Sequence, residues 1–558
     1  MANFVLFSWP VIAIAIFGFF GRERGVIWSV VIGYLFLPEV VTIPLSGLPD
    51  YNKQLAISLG VVLGAALYHQ KASFPVKLVL PPPRDLPGEI EQIWKDRLGL
   101  ETVSRDQSFA QLGGTGALTR VTVRDMIKIG VDAKIARKLY DGATIRDLVK
   151  VLPLDGPRRL GAPGLTVISY TLIGLLVFAT VMTMLTNGDA LVAPLSVRPG
   201  LSIRDVISLT AEPVIVMVPF IFALNYLRGR SAQMEVGKAI VLIGVFYAGL
   251  AAFEARMSPQ LNVWVYGFFQ HSWAQHLRDG FRPIVFLSHG LTVGFFLLMC
   301  VMMAFAMFRH TADKSRLLYL LAALWVLAVL AISRNLGALI LGMVFIPLAL
   351  LLPRYIQIRL TVLITGFFLV YPAVWQAQIL PVERFTEVIA VISEDRASSF
   401  AFRFQNEAEI LARAAERPIW GWGGWDRWRV FDDQGRDTTI ADGIWIITLG
   451  ERGWVGYVCF FLILTLPIFF LTRAARRKEP SHIIPIMALI MAANLLYMIP
   501  NSTLTPLTWL IMGTIAAHVR WHLLETDPDE QAEIEKRRSS PYTRFADRNQ
   551  VRPYSRNA

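Results

Sequence analysis

Apolar segments long enough to cross a lipid bilayer recur along the whole chain. A transmembrane helix needs roughly 20 apolar residues, and inside the hydrocarbon core a helix satisfies its backbone hydrogen bonds internally. We therefore expect an all-α polytopic membrane protein with about 12–13 transmembrane helices, a number that depends on the first three runs. The apolar runs lie near 3–20, 26–45, 54–70, 163–186, 205–227, 238–256, 283–308, 317–333, 336–352, 360–379, 443–472, 483–499 and 504–521.

Composition and charge favour the same class. Charged residues make up 17% of the chain and hydrophobic residues 54%, whereas soluble domains carry about 25% charged residues. A soluble enzyme would have to bury all of these runs in one core. The net charge of +12 does not indicate nucleic acid, because the basic residues cluster in short segments between apolar runs, as the positive-inside rule predicts.

The basic connectors also predict an orientation. The first run lacks a basic n-region and a cleavage site, which favours a retained helix over a signal peptide. With the basic connectors in the cytoplasm, the insertion and the C-terminus are cytoplasmic and the large loop faces outward. The expected segments are N-terminal helices 1–80, an insertion 83–155, helices 160–379, the large loop 380–442, helices 443–524 and a disordered tail 525–558.

Short motifs occur in order within the cytoplasmic insertion. They are Ile93-Trp94, Leu98-Gly99-Leu100, Phe109, Leu112-Gly113-Gly114 and the closing segment 144–148. Over 89–152 this pattern resembles a peptidyl or acyl carrier domain of the thiotemplate type. The resemblance implies a small four-helix bundle.

One position departs from the carrier pattern. Carriers bear phosphopantetheine on the serine two residues after the Gly-Gly pair, and Gly116 stands there. Glycine has no hydroxyl to esterify, and Thr115 lies one position early and is β-branched. The resemblance therefore implies a degenerate carrier without a cofactor, retained for docking a cytoplasmic protein partner or for regulation. An active carrier modified at Thr115 and an unrelated helical insert are the alternatives.

Three motifs lie in series on the outward face. Ser333-Arg334-Asn335 ends a transmembrane run, where a charge is costly and usually functional or paired; a snorkelling side chain is the alternative. Arg403 precedes the Trp/Gly stretch 417–424, and Asp442-Gly443 precedes the segment 449–456. Together, over about 330–460, these motifs resemble the O-antigen ligase and O-antigen polymerase superfamily.

The resemblance implies a metal-independent glycosyltransferase at the periplasmic face of a bacterial inner membrane, active in O-antigen or exopolysaccharide biosynthesis. Nucleotide sugars are not available there, so the implied donor is an undecaprenyl-diphosphate-linked oligosaccharide. Arg334 and Arg403 occupy family positions and would bind the diphosphate, because a planar guanidinium binds phosphate oxygens bidentately. Arg384 and Arg396 are further candidates for substrate binding, with a solvated side chain as the alternative.

Asp442 takes the position of the ligase histidine, eleven residues before Gly453. A carboxylate partly shielded at the membrane edge could act as the general base for the acceptor hydroxyl; a helix N-cap is the alternative. Because the histidine is absent, a polymerase is favoured over a ligase. Trp420 and Trp422 would stack on sugar rings or anchor the loop at the membrane interface.

Several other polar residues have weaker support. Asp432 and Asp433 indicate a solvated acidic turn rather than a metal site. His271 and His276, with Glu254, are expected to be local partners, although they could face the same cavity. We expect no metal and no cofactor.

Two functions compete with the glycosyltransferase. A non-catalytic scaffold or docking component of a polysaccharide assembly or export complex is favoured by the carrier-like insertion, which already lacks its serine. A transporter is disfavoured, because the chain shows no internal inverted repeat and few intramembrane charges of the relay kind. In each case the surrounding membrane lipid is a partner, and nucleic acid is not.

Overall fold

The computed structural model describes residues 1–45, 49–73, 86–128, 131, 133–151, 163–277, 280–311, 314–379, 381–392, 394–477 and 480–521. The chain forms two compact units, one of Met1–Lys77 with Gly161–Ala558 and one of Leu78–Leu160. The predicted disordered tail, 525–558, lies outside the described residues.

Three helices begin the first unit and pack through small residues. They are α1 (Ala2–Phe20), α2 (Arg22–Phe36) and α3 (Lys53–Tyr68). A Cβ added at Gly60 would stand 2.7 Å from the Cβ of Ala13, and one added at Gly64 would overlap the ring of Phe17. Because lipid supplies no hydrophobic force between helices, such close contacts are what hold them together.

The second unit contains four α-helices in its described residues, and a single 3-10 turn, Lys138–Asp141, lies between the third and the fourth. They are α4 (Leu86–Leu98), α5 (Gly116–Lys128), α6 (Ala133–Arg137) and α7 (Ile145–Val151). Ile90 and Trp94 are fully buried, because their i, i+4 spacing places them on one helix face. Trp94 packs edge-on against Phe109 with ring centroids 5.0 Å apart. The insertion 83–155 falls within this unit, and its identity as a degenerate carrier stays a prediction.

The first unit continues with a long series of helices and one short hairpin. In chain order the elements are α8 (Pro163–Leu185), β1 (Leu191–Ala193), β2 (Ser196–Arg198), α9 (Ile203–Tyr226), α10 (Arg230–Met257), α11 (Leu261–Tyr266), α12 (Trp273–His276), α13 (Gly290–His310), α14 (Ser315–Ile332), α15 (Leu336–Leu351), α16 (Arg354–Gln376), α17 (Val382–Ile392), α18 (Glu394–Ala415), α19 (Ile444–Arg477), α20 (Ile483–Tyr497) and α21 (Pro506–Trp521).

Within the described residues, eight helices are long and apolar enough to cross a membrane: α1, α8, α9, α10, α13, α14, α16 and α19. Helices α3, α15 and α20 are shorter and apolar, and every predicted apolar run overlaps a helix. The chain is 72% helical with almost no strand. These features confirm the prediction of an all-α polytopic membrane protein, and the finer number of 12–13 helices stays a prediction.

A kink near the start of α19 joins two of the sequence motifs. Gly453 has a φ of 62° inside this helix, a conformation that favours glycine. A Cβ at this position would stand 2.4 Å from the carbonyl oxygen of Ile419. The backbone N–H of Trp454 donates to the carbonyl of Pro418 at 2.8 Å. The Trp/Gly stretch 417–424 is therefore fixed against the first turns of α19.

Candidate functional site

Arg403 and Asp442 form an ion pair in the predicted loop 380–442. Arg403 lies on α18, and Asp442 lies two residues before α19. The Nε atom of Arg403 lies 3.2 Å from Oδ2 of Asp442. Gly443 stands between Asp442 and α19, so Gly443, and not Asp442, is at the N-cap position. The Asp442 carboxylate pairs with Arg403 instead. The structure thus brings together two of the three residues predicted to be catalytic.

A cavity of about 180 Å³ opens beside this ion pair. Aromatic and aliphatic side chains form most of its wall, and three charged groups enter it. The lining residues are Tyr371, Phe400, Arg403, Phe404, Glu407, Ile440, Asp442, Ile499 and Pro500. Such an apolar pocket with a few convergent polar groups is typical of a small-molecule site.

Glu407 is the buried carboxylate of this cavity. It lies one helical turn after Arg403 on α18, so both side chains point to one face. Its side chain is buried, and Trp375 Nε1 donates to its Oε2 at 2.9 Å. Burial raises the pKa of Glu407 to about 7, and the nearby charge of Asp442 adds to the shift. Sequence reasoning assigned no role to Glu407, although its i+4 spacing from Arg403 was a usable signal.

Arg334 occupies the connection between α14 and α15. Its φ is 57°, a left-handed conformation that costs an arginine roughly 1–2 kcal/mol. The following residue, Asn335, accepts a hydrogen bond from the Ala338 N–H at 3.2 Å and so caps α15. The Arg334 side chain is exposed, and a Cβ added at Gly280 would stand 2.5 Å from its Nη2. Strained backbone of this kind is common at functional sites.

Arg282 is a third arginine at this end of the helices. It is half-buried in the loop before α13, and its Nε has no hydrogen-bond partner among the described residues. Burial lowers the pKa of Arg282, and the like charge of Arg403 lowers it further. Sequence reasoning missed this residue, because an arginine in a short loop carries no distinguishing pattern.

Tyr497, the last residue of α20, links these arginines. Asn335 Nδ2 donates to the Tyr497 hydroxyl at 2.9 Å, which places Arg334 one residue from that contact. The same amide nitrogen lies 3.4 Å from the carbonyl oxygen of Gly290, against which the Arg282 side chain packs. Ile499 and Pro500, just after α20, line the cavity with Arg403. Arg282, Arg334 and Arg403, which we call the arginine group, therefore lie around one end of α20.

Three of the predicted substrate-binding residues, Arg384, Trp420 and Trp422, lie outside the described lining of the cavity. Arg384 is exposed on α17, and Arg396 lies on α18 with its side chain outside the described residues. Trp420 packs edge-on against Phe178 of α8 with centroids 5.9 Å apart. This contact attaches the loop 380–442 to α8.

Trp422 is enclosed by its own loop. Its side chain is buried, and its Nε1 donates to the Arg413 carbonyl at 2.8 Å. The guanidinium carbon of Arg413 lies 3.4 Å from the ring centroid, and that of Arg417 lies 4.5 Å away. The structure does not bring Trp422 to the cavity wall, and its sugar-stacking role stays a prediction.

Glu254 and the acidic turn have local partners. Glu254 is fully buried and accepts hydrogen bonds from the backbone N–H groups of Leu261, Ile284 and Val285 at 2.9, 2.9 and 2.7 Å. It therefore fixes the loop that carries Arg282. Asp432 pairs with Arg436 at 3.0 Å within its own exposed turn.

His271 and His276 lie in the same loop as Arg282. Burial lowers the pKa of both rings, so both are neutral at neutral pH. A third histidine, His289, lies beside them with ring centroids 4.5 Å from His271 and 5.1 Å from His276. Sequence reasoning named the first two and missed the third, which is the residue immediately before α13.

The chain matches no protein-family model, and no curated protein is significantly similar to it. The family resemblance therefore stands on the motifs of the chain, and any activity must be argued from the geometry of the site.

Proposed function

We propose that this protein is a glycosyltransferase that joins lipid-linked oligosaccharides at the outward face of a bacterial inner membrane. The observation that carries the proposal is the juxtaposition of the cavity, its two carboxylates and the arginine group at one end of the spanning helices. The donor would be an undecaprenyl-diphosphate-linked oligosaccharide. A polymerase is favoured over a ligase, because an aspartate stands where the ligase pattern has histidine.

The arginine group supports a diphosphate ligand. Arg282, Arg334 and Arg403 are always protonated in water, and a planar guanidinium can bind phosphate oxygens through two parallel hydrogen bonds. Arg282 is half-buried and Arg334 adopts a strained backbone, so neither arrangement is explained by stability alone. A diphosphate at the membrane surface would supply the negative charge that this group lacks.

The carboxylate pair supports proton transfer from an acceptor hydroxyl. Two carboxylates that share a site take up one proton more readily than a single carboxylate does. As the acceptor oxygen forms its bond to the anomeric carbon, its proton would pass to the pair of Asp442 and Glu407. The bond between the anomeric carbon and the diphosphate oxygen breaks, and undecaprenyl diphosphate leaves with both electrons.

Arg403 and Asp442 would have linked roles, the first in binding the diphosphate and the second in accepting the proton. Arg403 is 48% exposed and Asp442 is 40% exposed, so both remain accessible to substrate. Before substrate arrives, each neutralises the other. When the diphosphate binds, Arg403 can turn towards it and leave Asp442 free to accept the proton, which couples donor binding to base activation.

The test is complementation of a strain from which the chromosomal copy has been deleted. Arg403→Ala and Asp442→Ala are expected to reach normal membrane levels and to abolish surface polymer. Arg436→Ala is the matched control, because it breaks an Arg–Asp pair of the same loop outside the cavity. Normal polymer from both cavity variants would contradict the proposal.

A non-catalytic scaffold is the second candidate, and Gly116 favours it. This residue begins α5, and it stands where a working carrier has serine. A scaffold would support polymer formation when Arg403 and Asp442 are both replaced, provided the folded chain is present. The double variant in the same strain therefore separates the two functions.

A further inference from the structure

Three histidines from two segments converge beside the arginine group. His271 lies two residues before the short helix α12, His276 is its last residue, and His289 directly precedes α13. The ring centroids of His271 and His276 are 5.1 Å apart, so all three rings are in mutual contact. One ligand nitrogen from each ring lies within 4.8 Å of the others.

We propose that His271, His276 and His289 form a binding site for a divalent transition-metal ion such as Zn²⁺. Imidazole nitrogen suits these ions, and three histidines with an open fourth position form a recurring zinc arrangement. Zinc–nitrogen bonds of about 2.0–2.1 Å in a tetrahedral site separate the ligand nitrogens by about 3.3 Å. Nitrogens up to 4.8 Å apart therefore need to draw closer by up to about 1.5 Å through ring rotation. The inference does not depend on the proposed function.

The surroundings of His276 and His271 prepare them for ligation. His276 is fully buried, and its Nδ1 lies 3.0 Å from the Ser272 carbonyl oxygen. Ligating histidines usually donate their second N–H to such a carbonyl, which orients the other nitrogen towards the metal. In His276 that other nitrogen, Nε2, accepts a long hydrogen bond of 3.4 Å from the Gly290 N–H, which ligation would replace. The Nδ1 atom of His271 is buried and has no hydrogen-bond partner among the described residues. A buried nitrogen without a partner is unusual in a folded protein, and a metal bond would supply one.

His289 has a competing local role that metal binding would end. Its Nδ1 accepts the backbone N–H of Leu291 at 2.9 Å and so caps α13, and its Nε2 lies 3.3 Å from Gln275 Oε1. Ligation through either nitrogen displaces one of these hydrogen bonds. The loss of one cap is small beside the strength of a metal–nitrogen bond.

The loop around the histidines is held in place from beneath. Glu254 binds the backbone N–H groups of Ile284 and Val285. Gln270 Nε2 donates to the carbonyls of Val285 and Leu287 at 2.9 and 3.1 Å. These bonds fix the segments that carry His271 and His289, as the outer contacts of a metal site must do.

The charge around the cluster predicts an anionic fourth ligand. The Arg282 side chain packs against Gly290, the residue that follows His289, because a Cβ added at Gly290 would stand 3.0 Å from its Nε. The positive charge of Arg282 opposes a bare cation and favours an anion in the open position of the metal ion. Hydroxide or a phosphate oxygen would supply the balancing charge.

The test is metal binding by the full chain in detergent, purified with an affinity tag that contains no histidine. After chelation, the wild type is expected to bind one Co²⁺ per chain, with the visible absorption of four-coordinate cobalt, and to exchange it for Zn²⁺. His276→Ala should abolish binding. His271→Gln, at a less buried position, should weaken it at least tenfold and guards against a folding defect in the first variant. The matched control is His69→Ala, which replaces an exposed histidine directly after α3. This variant should bind the metal normally.

Two results would overturn the proposal. One is a wild type that binds no Co²⁺ or Zn²⁺, and the other is binding that survives in both His276→Ala and His271→Gln. A wild type that ignores metal but binds inorganic phosphate in a His276-dependent manner would identify an anion site instead. Surface polymer in the same variants is measured separately, so the failure of this site and that of the glycosyltransferase are distinguishable.

Discussion

The Nε atom of Arg403 lies 3.2 Å from Oδ2 of Asp442, and this ion pair joins α18 to the residue two positions before α19. Both side chains are nearly half exposed. Exposed ion pairs contribute about 0–1 kcal/mol to stability. The pair therefore needs an explanation other than stability, and the adjoining cavity offers one.

Replacing Arg403 should separate function from stability. We expect Arg403→Ala to change the free energy of unfolding by less than about 1 kcal/mol while surface polymer is lost. Arg403→Lys keeps the positive charge but loses the bidentate fork, so polymer should fall strongly with the same unfolding temperature. The measurements are thermal unfolding in detergent and gel analysis of polymer. A large loss of unfolding temperature in Arg403→Ala would show that the pair is structural.

Glu407 should make stability depend on pH near neutrality. Burial raises its pKa from 4.5 to about 7, so the folded state binds this proton more tightly than the unfolded state does. The wild type should therefore lose stability as the pH rises from about 4.5 to about 7. Above that range the loss amounts to a few kcal/mol, because each tenfold difference in proton affinity between the two states corresponds to about 1.4 kcal/mol.

Glu407→Gln removes this titration and keeps an acceptor for Trp375. Its unfolding temperature should exceed that of the wild type at pH 8 and approach it at pH 4. If the carboxylate pair accepts the proton, polymer synthesis by the wild type should rise with pH through about 7, and the variant should be strongly impaired at every pH. If Glu407→Gln showed the same pH dependence of stability as the wild type, Glu407 would not be the group that titrates near pH 7.

The fold class was predictable because the apolar runs report directly on the environment. Each run is a local property of the sequence, and lipid allows few alternatives to a helix. The pairing of Arg403 with Asp442 could be expected only in outline, since both lie in one predicted loop. Their distance of 3.2 Å depends on α18, a helix within that loop which the sequence analysis did not predict.

The missed residues depend on contacts between distant segments. Glu407 is buried against α16, where Trp375 donates to its carboxylate at 2.9 Å. His289 meets His271 only because the intervening loop folds back, held by Glu254 and Gln270. The i+4 spacing of Glu407 from Arg403 places both on one helix face, but no local period or motif records the contacts with distant segments that bury Glu407 or bring His289 to His271.

Gly116 allows a direct test of the carrier resemblance. A Cβ added there would meet no atom within 4 Å, so serine should fit without strain. We expect the full chain carrying Gly116→Ser to accept a phosphopantetheine arm from a phosphopantetheinyl transferase and coenzyme A. The wild type should remain unmodified at Thr115. Intact-protein mass spectrometry measures both, and an unmodified Gly116→Ser chain that is folded would favour an unrelated helical insert.

Arg334 should show a conflict between stability and activity. Its φ of 57° suits glycine, whereas a side chain in this region costs roughly 1–2 kcal/mol. Arg334→Gly and Arg334→Ala both remove the guanidinium, so both should abolish polymer if Arg334 binds the diphosphate. The glycine variant should nevertheless be more stable than the alanine variant by about 1 kcal/mol, because only glycine relieves the strain. The two unfolding temperatures measure this difference. If the alanine variant were equally stable, the backbone would be free to relax, and strain would give no support to a functional role for Arg334.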